Sequence, residues 1–443
     1  MAKQGKTPNE AFGGDARSGP GISSLPRQLG SLVTILDEVR SGTSRTRPEL
    51  IASTGLSRAV VAQRSAELCA SGLVEEAELG ASTGGRAPRI LRFRSESGYL
   101  LAAELGATSI TVALTDLSAG IVDIHEEPSD ISAGPHVILE RVKALFDELL
   151  ERHRDRPGQL WGVGIGLPGP VEFSSGRAVA PPIMLGWDQF PVREAFASRY
   201  GAPVWVDNDV NVLALGEVRA GVGRGHDLVV FVKLGTGIGA GIVVNGHILR
   251  GAQGCAGDVG HIRVTDDPTA VCRCGKIGCL EELAGGRALG RRGEAAAREG
   301  ASRILGEVLA AKGSIDAEDV AHASHQGDPV ALELITDAGS LVGGVLASLV
   351  NFVNPSLIVI GGGVARAGDG LLATIRQTLY ARSLPLATRD LLVQRSALDG
   401  TGGVIGVASM VADELFAPHT LNAWLDAGHP GVLSRLDRVE SRA

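Results

Sequence analysis

The chain has 443 residues, 44% of them hydrophobic and 21% charged, with a formal net charge of −8. That content is enough for two or three packed domains and excludes a disordered, fibrous or strongly basic protein. Sixty-one glycines, many in short clusters between apolar β-branched runs, point to an α/β fold with tight strand turns.

Residues 1–26 are rich in Gly, Ser, Pro and charge, which reads as a flexible tail and neither a signal peptide nor an anchor. Residues 1–98 hold 13 Lys and Arg against 10 Asp and Glu, about +3 of the −8 total, so the front of the chain is the nucleic-acid candidate. Leu32, Ile35, Leu36 and Val39 recur at helical spacing and predict a first helix ending near Gly42. Thr46-Arg47-Pro48-Glu49 has capping-box spacing ahead of Leu50 and Ile51, and Gly55 ends that short second helix. Ser57 can cap a third helix to about Ala70 that buries Val61 and Leu68.

Three helices followed by a possible hairpin, Leu73–Glu78 and Arg89–Phe93 around Gly80–Pro88, spell a winged helix-turn-helix. The third helix would enter a major groove of double-stranded DNA. Ser57, Arg58, Ala62 and Gln63 would face phosphates or base edges, and Arg86 in the wing would reach the minor groove. Each of these could equally be solvated surface. Arg64 falls near the inward stripe, where it either snorkels to phosphate or completes the packing.

From Tyr99 the pattern changes to strands: Tyr99–Glu104, Ser109–Thr115 and Ile121–His125, then a helix near Val137–Arg152 and a buried strand Trp161–Gly166. Leu228–Leu234, the turn Gly235-Thr236-Gly237-Ile238-Gly239 and Gly241–Val244 repeat the strand–turn–strand unit built around Gly106 and Thr108. That repetition predicts a duplicated lobe with a cleft between the copies, whose glycine turns can cradle phosphate or merely close hairpins. The apolar stretch Leu341–Ile360 is broken by Ser348, Asn351, Asn354, Pro355 and Ser356, so a helix then a buried strand explains it, not a membrane span.

Val206-Asp207-Asn208-Asp209-Val210-Asn211 collects amides and carboxylates at a strand end. Asp209 suits a general base toward a sugar hydroxyl and Asn208 a hydroxyl-orienting amide, although such a run is also ordinary turn chemistry. Cys272, Cys274 and Cys279 lie within eight residues, and His261 stands eleven positions before Cys272. Three thiolates and one imidazole at that spacing can hold structural zinc in a closed tetrahedral site, with Gly275 and Gly278 letting the backbone turn. A disulfide knot is the competing reading, less suited to a chain expected in the cytoplasm. Cys69 reads as a small apolar helix residue, and Cys255 as filling a tight loop near the metal.

With these pieces in place, the chain resembles the ROK family of sugar-responsive repressors and sugar kinases over residues 27–415. The resemblance rests on Cys272-x-Cys274-Gly275-x-x-Gly278-Cys279-x-Glu281, Ala256-Gly257-Asp258-Val259-Gly260-His261, Asn208-Asp209-Val210-Asn211 and Gly361-Gly362-Gly363. It implies an α/β, two-lobed actin-like ATPase fold, ribonuclease H-like, behind the winged helix-turn-helix, with zinc shaping the sugar pocket wall. Carried over by position, Asn208, Asp209, Asp258, His261 and Glu281 are the sugar-contacting set. His261 would then bond zinc through one nitrogen and sugar through the other.

Glu104-Leu105-Gly106-Ala107-Thr108 departs from the family's Asp-x-Gly-Gly-Thr loop, and Asp258 replaces a usual Glu. Retained nucleotide binding would use Gly106, Thr108, Gly235, Thr236, Gly237, Gly239, Gly361, Gly362 and Gly363, but the first change makes ATP and magnesium doubtful.

The expected organisation is a tail over 1–26, a winged helix-turn-helix over 27–95, a ROK domain over 96–415 and an extension over 416–443. The smaller ROK lobe would take about 96–205 plus a C-terminal helix. The expected function is that of a cytoplasmic, homodimeric or larger repressor binding operator DNA under control of a sugar effector, with no membrane partner. The alternative is a sugar kinase with Asp209 as catalytic base.

Overall fold

The computed structural model describes residues 27–78, 89–398, 400–425 and 427–433. The chain divides near Cys69 and Arg92 into two compact units.

In the first unit, α1 (Arg27–Arg40), α2 (Arg47–Thr54) and α3 (Arg58–Ala70) pack around Leu36, Leu50, Val61 and Leu68, all buried. The α1 stripe of Leu32, Ile35, Leu36 and Val39 is buried as its spacing predicts. The capping box is complete: Glu49 N–H donates to Thr46 Oγ1, and the Glu49 carboxylate accepts Thr46 N–H at 2.9 Å. Gly55 stops α2 in the left-handed region, and Ser57 Oγ accepts Val60 N–H at 3.3 Å. β1 (Val74–Glu78) and β2 (Arg89–Phe93) pair as a two-stranded sheet. The Glu76 carboxylate accepts Arg47 from α2 and Arg89 from β2, which ties sheet to helices.

The second unit contains two five-stranded sheets. β3 (Gly98–Leu105), β4 (Ser109–Asp116) and β5 (Ile121–Pro128) form an antiparallel meander. β6 (Gln159–Leu167) and β9 (Val204–Asn208) add in parallel, giving the order β5-β4-β3-β6-β9. β7 (Val171–Glu172) and β8 (Arg177–Ala178) make a small hairpin. α4 (Pro135–Arg152) and α5 (Val192–Tyr200) cover this sheet over a core with Leu139, Val142, Phe146, Val163, Ile165 and Phe196.

β10 (Leu228–Leu234), β11 (Ile238–Val244), β12 (His247–Ile248), β13 (Leu357–Gly361) and β14 (Leu392–Arg395) repeat the plan in the order β12-β11-β10-β13-β14. Here too the first three strands are antiparallel and the last two parallel to the first. The duplication expected from the two glycine turns is therefore real.

Helices α7 (Leu280–Ala284), α8 (Gly286–Arg298), α9 (Arg303–Lys312), α10 (Ala317–His325) and α11 (Pro329–Val353) lie between β12 and β13, and α12 (Asp369–Arg382) and α13 (Pro385–Thr388) follow β13. α11 is long and apolar enough by composition to cross a membrane, but Val342, Leu346 and Val350 pack with Ile358 and Ile375 in the second-sheet core. It ends at Asn354, and β13 begins three residues later, the helix-then-strand reading of Leu341–Ile360.

α6 (Asp209–Ala220) and α14 (Gly402–Phe416) form the layer between the sheets: α14 packs on β3 and β6, α6 on β10 and β11, and each on the other. A Cβ at Gly406 would stand 1.7 Å from Val212 O, and one at Gly216 2.1 Å from Gly402 O, so only glycine permits this crossing. α15 (Pro418–Leu425) then buries Trp424 against Trp161 and Phe416, so the extension expected over 416–443 begins as a packed helix.

Candidate functional site

The ligand atoms of His261, Cys272, Cys274 and Cys279 all lie within 4.8 Å of one another, close enough to hold one metal ion. The loop that gathers them needs left-handed backbone at Gly275 and Gly278, φ 82 and 77. Cys272 Sγ is 3.7 Å from His261 Nδ1, and Cys274 Sγ is 3.7 Å from Cys279 Sγ. All five cysteines are free, the latter separation being far beyond a disulfide bond of about 2.05 Å. Burial pushes the Cys272 thiol up to about 12 and raises Cys279 as well, so ionising them in place calls for a nearby cation. His261 Nε2 lies 3.9 Å from Asp258 Oδ1, and the Asp258 side chain is 46% exposed.

The Asn208–Asn211 run sits where β9 gives way to α6. Asn208 caps α6: its Oδ1 accepts Val210 N–H at 2.9 Å and its Nδ2 donates to Gly169 O at 2.6 Å, which commits most of the amide to the backbone. Asp207, 1% exposed, accepts Asn208 N–H and Asn211 Nδ2 through one oxygen and Arg250 Nε, 2.7 Å away, through the other. The Arg250 guanidinium also lies 3.6 Å from the Phe173 ring centre.

Asp209 is 5% exposed, and its Oδ2 accepts Lys233 Nζ at 2.7 Å. Burial pushes the Asp209 carboxyl up, with the Lys233 charge acting against it. Burial also opposes the Lys233 charge, yet Asp209 and Glu104 together outweigh it and raise the ammonium. Lys233 and Arg250 were not among the residues singled out from sequence. A lone lysine inside the apolar run Leu228–Leu234 was the available signal for the first.

Glu281 Oε2 accepts Ile238 N–H at 3.0 Å and so braces the 235–239 turn. A cleft beside it is lined by Thr236, Gly237, Arg273, Glu281, Arg287 and Arg291, among others. β11 passes directly over the start of α6, where a Cβ at Gly241 would meet Val210 O at 2.1 Å. Of the expected sugar residues, Asp258 stands beside His261, Glu281 braces the glycine turn and Asp209 faces Lys233. Of the expected nucleotide set, Gly106 N–H is taken by Ser109 O, Gly235 N–H by Gly237 O, and Gly362 lies against Leu234 at the end of β10. Thr108 O accepts Ser129 N–H, and Thr236 O accepts Arg287 N–H; Gly239 pairs with Lys233, Gly361 ends β13 and Gly363 opens a short 3-10 turn.

Ser57, just before α3, and Arg58, Ala62 and Gln63 on it are exposed, with Gln63 Nε2 donating to Glu67 at 3.1 Å. Arg64 is turned inward, 12% exposed and paired with Glu67, so it completes the packing. Arg86 lies outside the described residues.

Among proteins of known sequence, the chain is 35% identical over 316 residues to a glucokinase of Halalkalibacterium halodurans, covering 71% of this chain and 96% of that one. It is 31% identical over 399 residues to a putative xylose repressor of Caldicellulosiruptor sp., covering 90% and 98%. Among solved structures, a ROK family transcriptional regulator, a homologue of the E. coli MLC protein, superposes with a TM-score of 0.77 at 25% identity, covering 90% of this chain and 99% of that one. Residues 100–414 match the ROK family, and the chain belongs to it.

Proposed function

We propose that the chain is a sugar-responsive transcriptional repressor whose operator binding is set by a sugar or sugar derivative in the ROK-domain cleft. The carrying observation is the extent of the likeness: the xylose-repressor match runs over 90% of the chain and so reaches well beyond residues 100–414, whereas the glucokinase match stops at 71%. In this reading residues 27–95 are a winged helix-turn-helix and α3 enters the major groove with Ser57, Arg58, Ala62 and Gln63 outward. A homodimer in the cytoplasm would place two such heads on a palindromic operator. Residues 96–415 are the effector domain.

Zinc suits the His261, Cys272, Cys274 and Cys279 donor set. Zinc–sulfur bonds of about 2.3 Å at tetrahedral angles give sulfur–sulfur edges of about 3.8 Å, against the 3.7 Å between Cys274 and Cys279. Bound there, zinc supplies a structural brace with no open coordination position. In this reading His261 Nε2, Asp258 and Glu281 exchange hydrogen bonds with sugar hydroxyls, with Asp209 and what the capping of α6 leaves of Asn208 completing the set. To shift operator occupancy the sugar must favour one arrangement of the heads by a few kcal/mol, within reach of several hydroxyl hydrogen bonds made in one state only.

Mobility-shift titration of operator DNA, recovered with the protein, against a panel of monosaccharides, oligosaccharides and sugar phosphates tests this. We expect at least one to change operator affinity roughly tenfold; a panel without any effect overturns the reading. The glucokinase likeness favours a second reading, an ATP-dependent sugar kinase with Asp209 as base. A coupled assay showing turnover lost in Asp209→Asn and kept in Arg58→Ala would establish it.

A further inference from the structure

The two sheets are copies of one plan, and their equivalent central strands carry opposite charges at the same place. Glu104 is the second-to-last residue of β3 and Lys233 the second-to-last residue of β10. Each stands beside a glycine of its parallel neighbour, Glu104 against Gly166 and Lys233 against Gly361. The two meet across the sheets: Lys233 Nζ is 3.4 Å from Glu104 Oε1 and 2.7 Å from Asp209 Oδ2. Side-chain exposures of 22%, 13% and 7% for Lys233, Glu104 and Asp209 leave the group largely dry.

We propose that Lys233 is a specificity-determining residue, an internal counter-ion that takes the electrostatic place of a divalent cation between Glu104 and Asp209 and turns the cleft into a sugar receptor that excludes magnesium–nucleotide. The inference rests on the sugar-receptor reading above. A magnesium ion with a nucleotide polyphosphate needs anionic oxygens free to face it. Here both carboxylates already face an ammonium, which would have to be driven out or share the space with a second cation at short range. The residues present therefore do not fit that cofactor at this point. Asp209 Oδ2 is held by the ammonium, so Asp209 serves as an oriented acceptor and not as a base that takes up a proton. Removing the ammonium leaves two buried carboxylates without their nearest positive charge, which is a site for a divalent cation.

The test is calorimetric titration of the full chain with magnesium and a non-hydrolysable ATP analogue. Wild type should show no binding up to millimolar analogue. Lys233→Ala should gain affinity by roughly tenfold or more, whereas Glu104→Gln, which keeps the Lys233–Asp209 pair, should not. Lys233→Met, which retains the aliphatic stem, serves if the alanine variant melts below the assay temperature. The proposal is overturned if wild type binds the analogue as tightly as the lysine variants, if folded lysine variants gain nothing, or if Glu104→Gln gains as much. Sugar-dependent operator release with nucleotide bound to wild type would remove this inference alone; nucleotide exclusion without any sugar response would remove only the receptor reading.

Discussion

The first and second sheets of the ROK domain share strand order and direction but not what is inserted between the strands. In the first, one helix, α4, bridges β5 and β6; in the second, the chain between β12 and β13 carries the His261–Cys279 loop and five helices. The framework is therefore duplicated while the chemistry is not. The His261–Cys279 cluster belongs to one copy, and at one matched position, Glu104 and Lys233, the copies carry opposite charges.

The largest effect should come from breaking the feature that only the second sheet has. Cys272→Ser or Cys274→Ser should abolish stoichiometric zinc and cost several kcal/mol, with residues 262–280 losing hydrogen-exchange protection before the first sheet does. Equal loss in both sheets would mean that the cluster does not brace one lobe in particular. Next, Lys233→Met should lower the urea midpoint by the equivalent of about 3–5 kcal/mol, because it strands buried Asp209. Glu104→Gln should cost about 1 kcal/mol. Equal costs would show that the 2.7 Å leg is not the stronger one.

The layer common to both copies comes third. Gly406→Ala forces α14 from Val212 O and should cost about 1–3 kcal/mol, read as a lowered melting temperature. The smallest effect is confined to the first sheet, where Arg141 on α4 donates twice to Glu127 on β5 and holds its carboxyl at about 2, below the ordinary 4.5. A depressed carboxylate contributes stability above 4.5 that is lost as pH falls toward about 2. The pair is partly exposed, so the loss should be about 1 kcal/mol or less and absent in Arg141→Ala, measured by melting between those pH values.

Much of this was legible before the structure. The capping box at Thr46–Glu49, the Gly55 stop, the α1 stripe and the cysteine spacing are local patterns, and local patterns survive folding. The duplicated hairpins announced two lobes because each carries its own glycine turn. What could not be read were the long-range choices: Lys233 facing Asp209, Arg250 reaching Asp207, and Gly216 crossing Gly406. Each joins residues more than twenty positions apart, and a single sequence records the residue but not its partner. The Asn208–Asn211 run shows the limit in the other direction, since its amide reads as a sugar contact yet is mostly spent on capping α6.

Coupling between cleft and operator is reciprocal, so the most direct measurement is calorimetric titration of the effector sugar into the protein with and without its operator duplex. We predict that operator DNA changes the sugar affinity by the same factor by which the sugar changes operator affinity. A sugar affinity unchanged by saturating operator would contradict the account.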